Sequence, residues 1–217
     1  MLAEVATGPA PLIAIVDYGM GNRRSVEKAL QRVGARTLMT CDHHELRNAD
    51  GILLPGVGAF PAAMQTIHEL GLDDVLRGCA ARGTPIFGSC MGMQLLFEDS
   101  EEHGGAEGLG LLRGSVRRLD ARGQNLPHIG WSEVRWVREH PLRDGLPDPT
   151  HLYHVHTFAP HPADEEAVLG VAEYGETFAT VVALGNVYGA QSHPEKSSAH
   201  GLGLLTNFTK RCAQVTA

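Results

Sequence analysis

The feature that most constrains the fold of this chain is an alternation of short apolar segments and helical patterns in its first half. Leu12–Val16 is apolar throughout and is followed by Asp17 and Gly19, as expected for a buried parallel strand that ends in a turn. Apolar residues then recur at helical spacing from Val26 to Val33. The pattern predicts further strands at 37–39, 51–54 and 84–87, and helices at 61–70 and 72–82. Strands that alternate with helices indicate an α/β fold with a doubly wound, mostly parallel sheet.

The second half of the chain is rich in strand-like runs. Gly, Pro and Asp separate these runs, a texture that favours antiparallel additions to the parallel sheet. The runs are 111–119, 133–137, 152–158, 167–172, 179–184 and 187–191. Helical spacing returns at Leu204, Leu205, Phe208 and Cys212, which predicts a closing amphipathic helix.

Length and composition predict a single globular domain. A chain of 217 residues is long enough for one well-buried core, and we expect that domain to span residues 12–217. Gly8, Pro9 and Pro11 precede the first apolar run, so residues 1–11 are predicted to form a flexible leader. A net charge of -7 is not the basic footprint of a nucleic-acid-binding protein. The chain shows neither an export signal nor a membrane-length apolar stretch, and we expect a cytoplasmic location.

A cysteine lies at the turn between a predicted strand and a helical run. Gly88 and Gly92 frame Cys90, which follows the fourth apolar segment and precedes a helical pattern over 93–97. This context is typical of a nucleophile elbow, with cysteine at the position that serine hydrolases give to serine. The glycines permit a tight turn, and the partial positive charge at a helix N-terminus favours the thiolate. We therefore predict that Cys90 is the nucleophile.

The other cysteines and a neighbouring serine are weaker candidates for the nucleophile. Most free cysteines are simply buried, and we expect this of Cys41, Cys79 and Cys212, because none lies in such a turn. Their wide spacing, without a CxxC pair, indicates neither a zinc ribbon nor a compact disulfide framework. Ser89 adjoins the turn, but the two glycines place Cys90 at its apex.

His193, Pro194 and Glu195 offer a base and a carboxylate that orients it. A thiol nucleophile needs an imidazole that is close in space but not in sequence. Pro194 biases His193 towards an extended conformation, in which residues i and i+2 project to the same side. Glu195 is therefore expected to reach the ring nitrogen that faces away from Cys90. The chain has 12 histidines, so the triplet alone is weak support, but together with the elbow it predicts a Cys–His–Glu triad.

A histidine cluster raises the competing hypothesis of a transition-metal site. His151, His154 and His156 lie close in sequence, and His154 and His156 face the same side of a strand, where His193 could complete a cage. No carboxylate or cysteine has ligand spacing there, and Cys90 has a better role as nucleophile. We expect no metal and no cofactor, and we favour substrate binding for this strand.

Glycines after the third apolar segment predict part of an oxyanion site. Gly56 and Gly58 lie in the loop that follows this segment, where backbone N–H groups can approach a ligand closely. One donor would come from the loop around Val57 and Gly58, and the other from the N–H of Met91. By itself the loop fits an ordinary βα turn equally well. Its expected neighbour in a doubly wound sheet is the Cys90 elbow, which favours the oxyanion site.

Together these motifs resemble the class I, or triad, glutamine amidotransferases, which have a flavodoxin-like fold. The segment from Gly88 to Leu96 resembles the nucleophile segment of that class, and the segment from Gly189 to Ser197 resembles its His-Pro-Glu segment. Within the class, four further segments resemble the glutaminase subunits of imidazole glycerol phosphate synthases. They are Tyr18 to Asn22, Pro55 to Phe60, Pro127 to Trp131 and Tyr153 to Thr157.

Position by position, the resemblance implies roles for further residues. Gln94 would bind glutamine, and the backbone of Thr157 and Phe158 would bind its α-carboxylate. A second group would face the cyclase subunit, a (β/α)8 barrel that forms a heterodimer with the glutaminase and consumes the ammonia. That group is Asn22, Trp131, Tyr153 and Lys196. Ser132 and His154 depart from the subfamily pattern, which usually has asparagine and an aromatic residue there.

The implied activity is hydrolysis of glutamine through a Cys90 thioester, with His193 as acid and base, in histidine biosynthesis. Other triad amidotransferases, such as the glutaminases of anthranilate or vitamin B6 synthesis, are disfavoured by the segment from Pro127 to Trp131. The alternatives from other classes are a cysteine peptidase on a similar fold and a non-catalytic binding subunit. A non-catalytic role is disfavoured because the nucleophile, base and carboxylate are all present.

Overall fold

Thirteen strands and six α-helices occur within residues 10–214, the part of the chain that a computed structural model describes. The strands are β1 (Leu12–Val16), β2 (Arg36–Thr40), β3 (Gly51–Leu54), β4 (Ile86–Ser89), β5 (Asp99–Ser100), β6 (Ala106–Glu107), β7 (Gly114–Arg118), β8 (His128–Trp136), β9 (Thr150–His156), β10 (Phe158–Pro162), β11 (Val168–Tyr174), β12 (Glu176–Leu184) and β13 (Val187–Ala190). The helices are α1 (Arg23–Arg32), α2 (His43–Arg47), α3 (Phe60–Glu69), α4 (Leu72–Ala81), α5 (Met91–Gln94) and α6 (Ser198–Ala213).

Most of the predicted leader, residues 1–9, lies outside the described residues, so the leader and the boundary that follows it stay predictions. Among residues 10–214, no helix has the length and apolar character needed to cross a bilayer.

Nine strands form one large sheet in the order β2-β1-β3-β4-β13-β12-β11-β8-β9. The first five strands run parallel to one another, and the last four continue the sheet antiparallel. This arrangement confirms the predicted α/β class, a mostly parallel core with antiparallel additions. Because the carboxyl ends of the parallel strands lie at one edge, the loops that follow β1, β3, β4 and β13 meet there.

Side chains of the parallel strands alternate between two cores, one on each face of the large sheet. In β1, Ile13 and Ile15 pack with α1 and α6, whereas Ala14 and Val16 pack with α3 and α4. Burial on both faces is the reason that such a strand is an uninterrupted apolar run in the sequence. The helices therefore cover both faces, as a doubly wound sheet requires.

A second sheet, in the order β10-β7-β5-β6, was not predicted from the sequence. β5 and β6 have 2 residues each, too few for a periodic pattern to show. The run 152–158, predicted as one strand, divides into β9 in the large sheet and β10 in the small one. Thr157 lies between them, so its backbone is at the junction of the two sheets.

The helix after Cys90 is shorter than predicted. The sequence predicted a helical pattern over 93–97, but the helix ends at Gln94. The Leu95 carbonyl accepts a hydrogen bond from Leu109 N at 2.9 Å, and the next carbonyl accepts one from residue 111 at 2.8 Å. These carbonyls accept hydrogen bonds from the segment 109–111 and not from the next helical turn, so the helix ends there.

The region after β2 also differs from the prediction. α2 was not predicted, although Asp42 caps it by accepting hydrogen bonds from the N–H groups of His44 and Glu45, both at 2.9 Å. Cys79 and Cys212 are buried as expected, but Cys41 is exposed. Cys41 follows β2, which is the edge strand of the large sheet within residues 10–214.

α6 packs so closely against the turn at Pro194 that it requires glycine at position 201. A Cβ at Gly201 would overlap the Pro194 carbonyl oxygen, which is backbone and cannot easily move. We expect Gly201→Ala to destabilise the chain by about 1–3 kcal/mol, as overpacking does. As a control, a Cβ at Gly78 in α4 would meet only the flexible Arg82 side chain at 3.5 Å. Gly78→Ala is expected to stabilise by about 0.5–1 kcal/mol. Urea unfolding midpoints measure both changes, and an unshifted midpoint for Gly201→Ala would contradict this packing.

Candidate active site

Cys90 occupies a strained turn between β4 and α5. Its φ of 54° and ψ of -116° form a conformation that residues other than glycine rarely adopt and that is concentrated at functional sites. Its N–H donates a hydrogen bond to the Ala190 carbonyl at 2.8 Å, which anchors the turn to β13. Cys90 is 6% exposed, so its side chain is reached only through the adjoining cavity.

The glycines around Cys90 were predicted to provide the dihedral angles of the turn. In the structure they instead allow close packing. Positive φ occurs at Cys90 and at neither Gly88 nor Gly92. A Cβ at Gly92 would overlap the Leu54 carbonyl at the end of β3, and a Cβ at Gly88 would overlap the backbone of Gly92. The glycines therefore let the first turn of α5 lie against β3, and Cys90 itself takes the strained dihedral angles.

His193 and Glu195 form the predicted hydrogen-bonded pair. His193 Nδ1 lies 3.0 Å from Glu195 Oε1, and the side chains are 7% and 3% exposed. His193 is extended as predicted, but Glu195 lies in a single 3-10 turn, Pro194–Lys196, and not on a continued strand. A carboxylate can only accept, so Nδ1 carries the ring hydrogen and Nε2 is left for Cys90.

The surroundings of His193 favour its charged form. Burial disfavours a charged ring, but the hydrogen bonds to Cys90 and Glu195, and then their negative charges, outweigh burial and raise the pKa of His193 to about 9. The second carboxylate oxygen of Glu195 is buried without a hydrogen-bond partner in the described part of the chain. A charged imidazole ring is thus held beside Cys90.

Two buried glutamines link the thiol to the turn at Thr157. Gln191 Nε2 lies 3.9 Å from Cys90 Sγ, and Gln94 Nε2 donates to Gln191 Oε1 at 3.0 Å. Gln94 Nε2 also donates to the Phe158 carbonyl at 2.9 Å. Both amide hydrogens of Gln94 are thus used, and its Oε1 remains as an acceptor for a ligand. Gln191 was not predicted as a site residue, since its only signal was its place within the segment from Gly189 to Ser197.

The predicted oxyanion loop packs against the elbow. Tyr18 Oη donates a hydrogen bond to the Pro55 carbonyl at 2.5 Å, and burial raises the pKa of Tyr18, so the donor stays protonated. A Cβ at Gly56 would lie 2.8 Å from Gly92 N, so only glycine permits this approach. Gly58 has a φ of 112°, which also favours glycine. The loop and the elbow are therefore neighbours, as the sheet order predicts.

A cavity of about 300 Å³ unites most of the predicted site. Its volume is within the range of small-molecule sites. The predicted residues that line it are Cys90, His193, Val57, Gly58, Met91, Gln94, Thr157, Phe158 and Lys196. Glu195 lies outside this lining and contacts His193 from the other side of the ring. The structure thus brings together the predicted catalytic, oxyanion and substrate-binding residues.

Glu102 also lines the cavity, although no sequence pattern predicted it as a site residue. It belongs to an acidic stretch from Glu98 to Glu102, which has the pattern of an ordinary solvated loop. Its Oε2 accepts a hydrogen bond from the N–H of Phe60 at 2.8 Å, at the first residue of α3. Its side chain is only 14% exposed, so a carboxylate is held at the cavity wall.

The residues predicted to face a partner lie in two places. Trp131 and Tyr153 are cross-strand neighbours on β8 and β9, with ring centroids 5.9 Å apart. Trp131 is 53% exposed and Ile129, two residues before it on β8, is 60% exposed, an unusual degree for such side chains. Asn22 is exposed beside α1, in a separate surface cleft that does not include Cys90.

The histidines of the metal hypothesis are already hydrogen-bonded or apart. His154 Nδ1 lies 3.0 Å from the Leu152 carbonyl and its Nε2 lies 2.6 Å from Thr180 Oγ1. His151 is exposed and pairs with Glu133 at 3.6 Å. His154 is fully buried, so this departure from the subfamily pattern lies in the core and not at a surface.

Comparison with known proteins agrees with this geometry. Residues 14–212 match the family model for class-I glutamine amidotransferases. A curated Bacillus cereus protein named imidazole glycerol phosphate synthase subunit HisH is 50% identical over 197 residues, which cover 91% of this chain and 93% of the relative. A Moorella thermoacetica protein of the same name is 50% identical over 196 residues, 90% of this chain and 93% of the relative.

Solved structures share the fold at lower sequence identity. A crystal structure of a glutamine amidotransferase has a TM-score of 0.73 at 22% identity and covers 92% of this chain and 98% of its own. A structure of PurLQS from Thermotoga maritima has a TM-score of 0.72 at 20% identity, with coverage of 96% and 100%. From the match over residues 14–212 and the 50% identity of its relatives, this chain belongs to the class-I glutamine amidotransferase family.

Proposed function

We propose that this chain is the glutaminase subunit of an imidazole glycerol phosphate synthase, which hydrolyses glutamine and passes ammonia to a cyclase subunit in histidine biosynthesis. The observation that carries the proposal is that Cys90 and His193 line one cavity while the buried Glu195 bonds His193 from behind, in a chain 50% identical to relatives of that name. A peptidase would need an open groove for a chain, whereas this cavity of about 300 Å³ suits a single amino acid.

The reaction begins with attack of the Cys90 thiolate on the side-chain amide carbon of glutamine. The carbonyl oxygen becomes an oxyanion, for which the N–H groups of Met91 and of the loop at Val57 and Gly58 are the donors. His193 then gives its proton to the leaving nitrogen, ammonia departs, and a thioester remains on Cys90. His193, now neutral, takes a proton from water, which attacks the thioester and releases glutamate.

The cavity wall offers partners for both charged groups of the substrate. The backbone N–H groups of Thr157 and Phe158 lie at the junction of the two sheets and are suited to the α-carboxylate. Gln94 Oε1 is an available acceptor and Glu102 carries a negative charge, so both suit the α-ammonium group. An amino acid with both groups would therefore fit better than an amide that lacks them.

The partner surface is the exposed apolar pair Ile129 and Trp131 on β8, with Tyr153 beside Trp131 on β9. Lys196 is exposed and also lines the cavity, and just before its turn the His193 N–H donates a hydrogen bond to the Tyr153 carbonyl at 2.8 Å. A (β/α)8 barrel subunit that docks here, with Asn22 at the edge of the contact, would form a heterodimer and receive ammonia without release to solvent.

Replacement of the nucleophile is expected to separate the two activities of the complex. Cys90→Ser should abolish glutamine-dependent formation of imidazole glycerol phosphate, because His193 cannot make a comparable nucleophile from a hydroxyl group. Synthesis from ammonium salts at alkaline pH should persist, since the cyclase then needs no glutaminase. Product formation from each nitrogen source measures this. Glutamine-dependent synthesis by the variant would eliminate Cys90 as the nucleophile.

Replacement of the orienting carboxylate is expected to change rate and pH dependence together. Glu195→Gln keeps the shape but removes the charge that helps to raise the pKa of His193. The pKa should fall, so the imidazolium is lost at lower pH and the alkaline limb of the rate profile moves to lower pH. The rate should drop on the order of a hundredfold or more. Glu173→Gln, at an exposed carboxylate, is the control. An unchanged profile would remove Glu195 from the triad.

Replacement of the cavity carboxylate is expected to weaken glutamine binding. Glu102→Gln retains an oxygen that can accept from Phe60 N but loses the charge, so KM for glutamine should rise on the order of tenfold with little change in kcat. Glu101→Gln alters the adjacent carboxylate, which bonds Arg118 N and does not line the cavity, and it should leave KM unchanged. Steady-state kinetics compare the two, and equal KM values would exclude Glu102 from substrate binding.

A further inference from the structure

A chain of hydrogen bonds between side chains runs from β8 to the turn at Thr157. His128 on β8 is paired in register with His156 on β9, and His128 Nδ1 lies 3.0 Å from His156 Nε2. At one end, Ser132 Oγ lies 2.9 Å from His128 Nε2. At the other end, His156 Nδ1 lies 2.9 Å from the Phe158 carbonyl. Ser132, His128 and His156 are called the imidazole chain below.

The carbonyl at the end of the imidazole chain determines every proton position along it. A carbonyl only accepts, so His156 carries its hydrogen on Nδ1 and its Nε2 is an acceptor when the ring is neutral. His128 must then donate from Nδ1, which leaves its own Nε2 to accept from the Ser132 hydroxyl. The three hydrogen bonds thus point in one direction, towards the substrate-binding backbone.

Burial keeps both rings of the imidazole chain neutral. His128 is 3% exposed and His156 is 6% exposed. Burial lowers the pKa of His128, and burial lowers the pKa of His156 to about 3 despite its hydrogen bond to Phe158. His128 is also held between two rings, Tyr174 at 4.0 Å and His154 at 5.3 Å between centroids. A neutral, packed imidazole is a donor of fixed direction.

The Phe158 carbonyl receives a second hydrogen bond from the substrate-binding side. Gln94 Nε2 donates to it at 2.9 Å, the same length as the bond from His156. Two donors from different strands and helices thus hold this carbonyl in one orientation. The N–H of Phe158 belongs to the adjoining peptide, the unit that the proposed mechanism assigns to the α-carboxylate.

We propose that His156 is a positioning residue for glutamine, kept as the Nδ1–H tautomer by His128 and Ser132, and that it orients the Thr157–Phe158 backbone towards the α-carboxylate. The inference rests on the proposed glutaminase function, because only a substrate with an α-carboxylate uses this backbone. The carboxylate contact is the same in the ground state and in the transition state, so it is uniform binding and is expressed in KM.

A matched pair of variants in the full chain, assembled with its synthase partner, tests the hydrogen bond to Phe158. His156→Leu removes the donor and is expected to raise KM for glutamine about tenfold with kcat within about twofold, as the loss of one oriented hydrogen bond implies. His156→Asn places an amide N–H near the position of Nδ1 and is expected to restore KM to within about threefold of wild type. Glutamate release at varied glutamine concentration is the measurement.

The control is the neighbouring buried histidine that lies outside the imidazole chain. His154 bonds Leu152 and Thr180 and not Phe158. His154→Phe keeps an aromatic ring beside His128 and is therefore expected to leave KM within about twofold of wild type. If His154→Phe raised KM as much as His156→Leu does, general packing would be the cause and the positioning role would be overturned. Equal KM values for wild type and His156→Leu would overturn it as well.

Ring tautomers provide a test that needs no variant. Nitrogen-15 NMR of the histidine-labelled wild-type chain should show hydrogen on Nδ1 and none on Nε2 for both His128 and His156, unchanged between about pH 6 and 8. Hydrogen on Nε2 of either ring would overturn the proposed direction of the hydrogen bonds in the imidazole chain. A different result would contradict the proposed function itself: a wild-type complex that releases no glutamate from glutamine. A wild-type complex that releases glutamate, with no change in KM for His156→Leu, would overturn the positioning role alone.

Discussion

The parallel pairing of β13 with β4 is the contact on which the rest of the site depends. The two strands are in register from Val187 opposite Ile86 to Ala190 opposite Ser89. The hydrogen bond from Cys90 N–H to the Ala190 carbonyl, 2.8 Å long, continues this pairing into the elbow. Residues such as Gln191 and Cys90, 101 positions apart in the chain, thereby become neighbours. A slip of one residue would turn every side chain of β13 to the opposite face of the sheet and displace the segment that carries the base.

Once the strands are paired, the electrostatic contrast among the histidines distinguishes His193, the predicted base. Burial alone would lower the pKa of His193, as it does for His128, His154 and His156. His193 differs because a thiol and a carboxylate face its two ring nitrogens, and its pKa is raised to about 9. His193 and Glu195 are both buried, so little water screens the interaction between them and it is stronger. The same core thus contains neutral imidazoles that orient backbone and one imidazole suited to proton transfer.

The substrate cavity exists because the chain passes between two sheets. β9 is the last strand of the large sheet and β10 belongs to the small sheet. Thr157 lies between them, so its backbone is not paired with neighbouring strands on both sides. The large sheet contributes Cys90 and the oxyanion loop, and the loop after β5 contributes Glu102. The predicted catalytic groups and the predicted recognition groups therefore come from different sheets and meet at one edge of the parallel strands.

The sequence by itself determined the fold class, and it predicted the nucleophile and its base. Uninterrupted apolar runs such as Leu12–Val16 predict strands buried on both faces, and Gly88 and Gly92 around Cys90 predict a tight turn, because these are local consequences of backbone and side-chain chemistry. The tertiary structure alone decided what depends on contacts between distant segments. It ended α5 at Gln94 and divided the strand at Thr157, since carbonyls there bond to segments that no local pattern reveals. It also brought an acidic residue from a loop-like stretch to the cavity wall and aligned two histidines across β8 and β9, because a residue's neighbours across a sheet are set by register and not by sequence spacing.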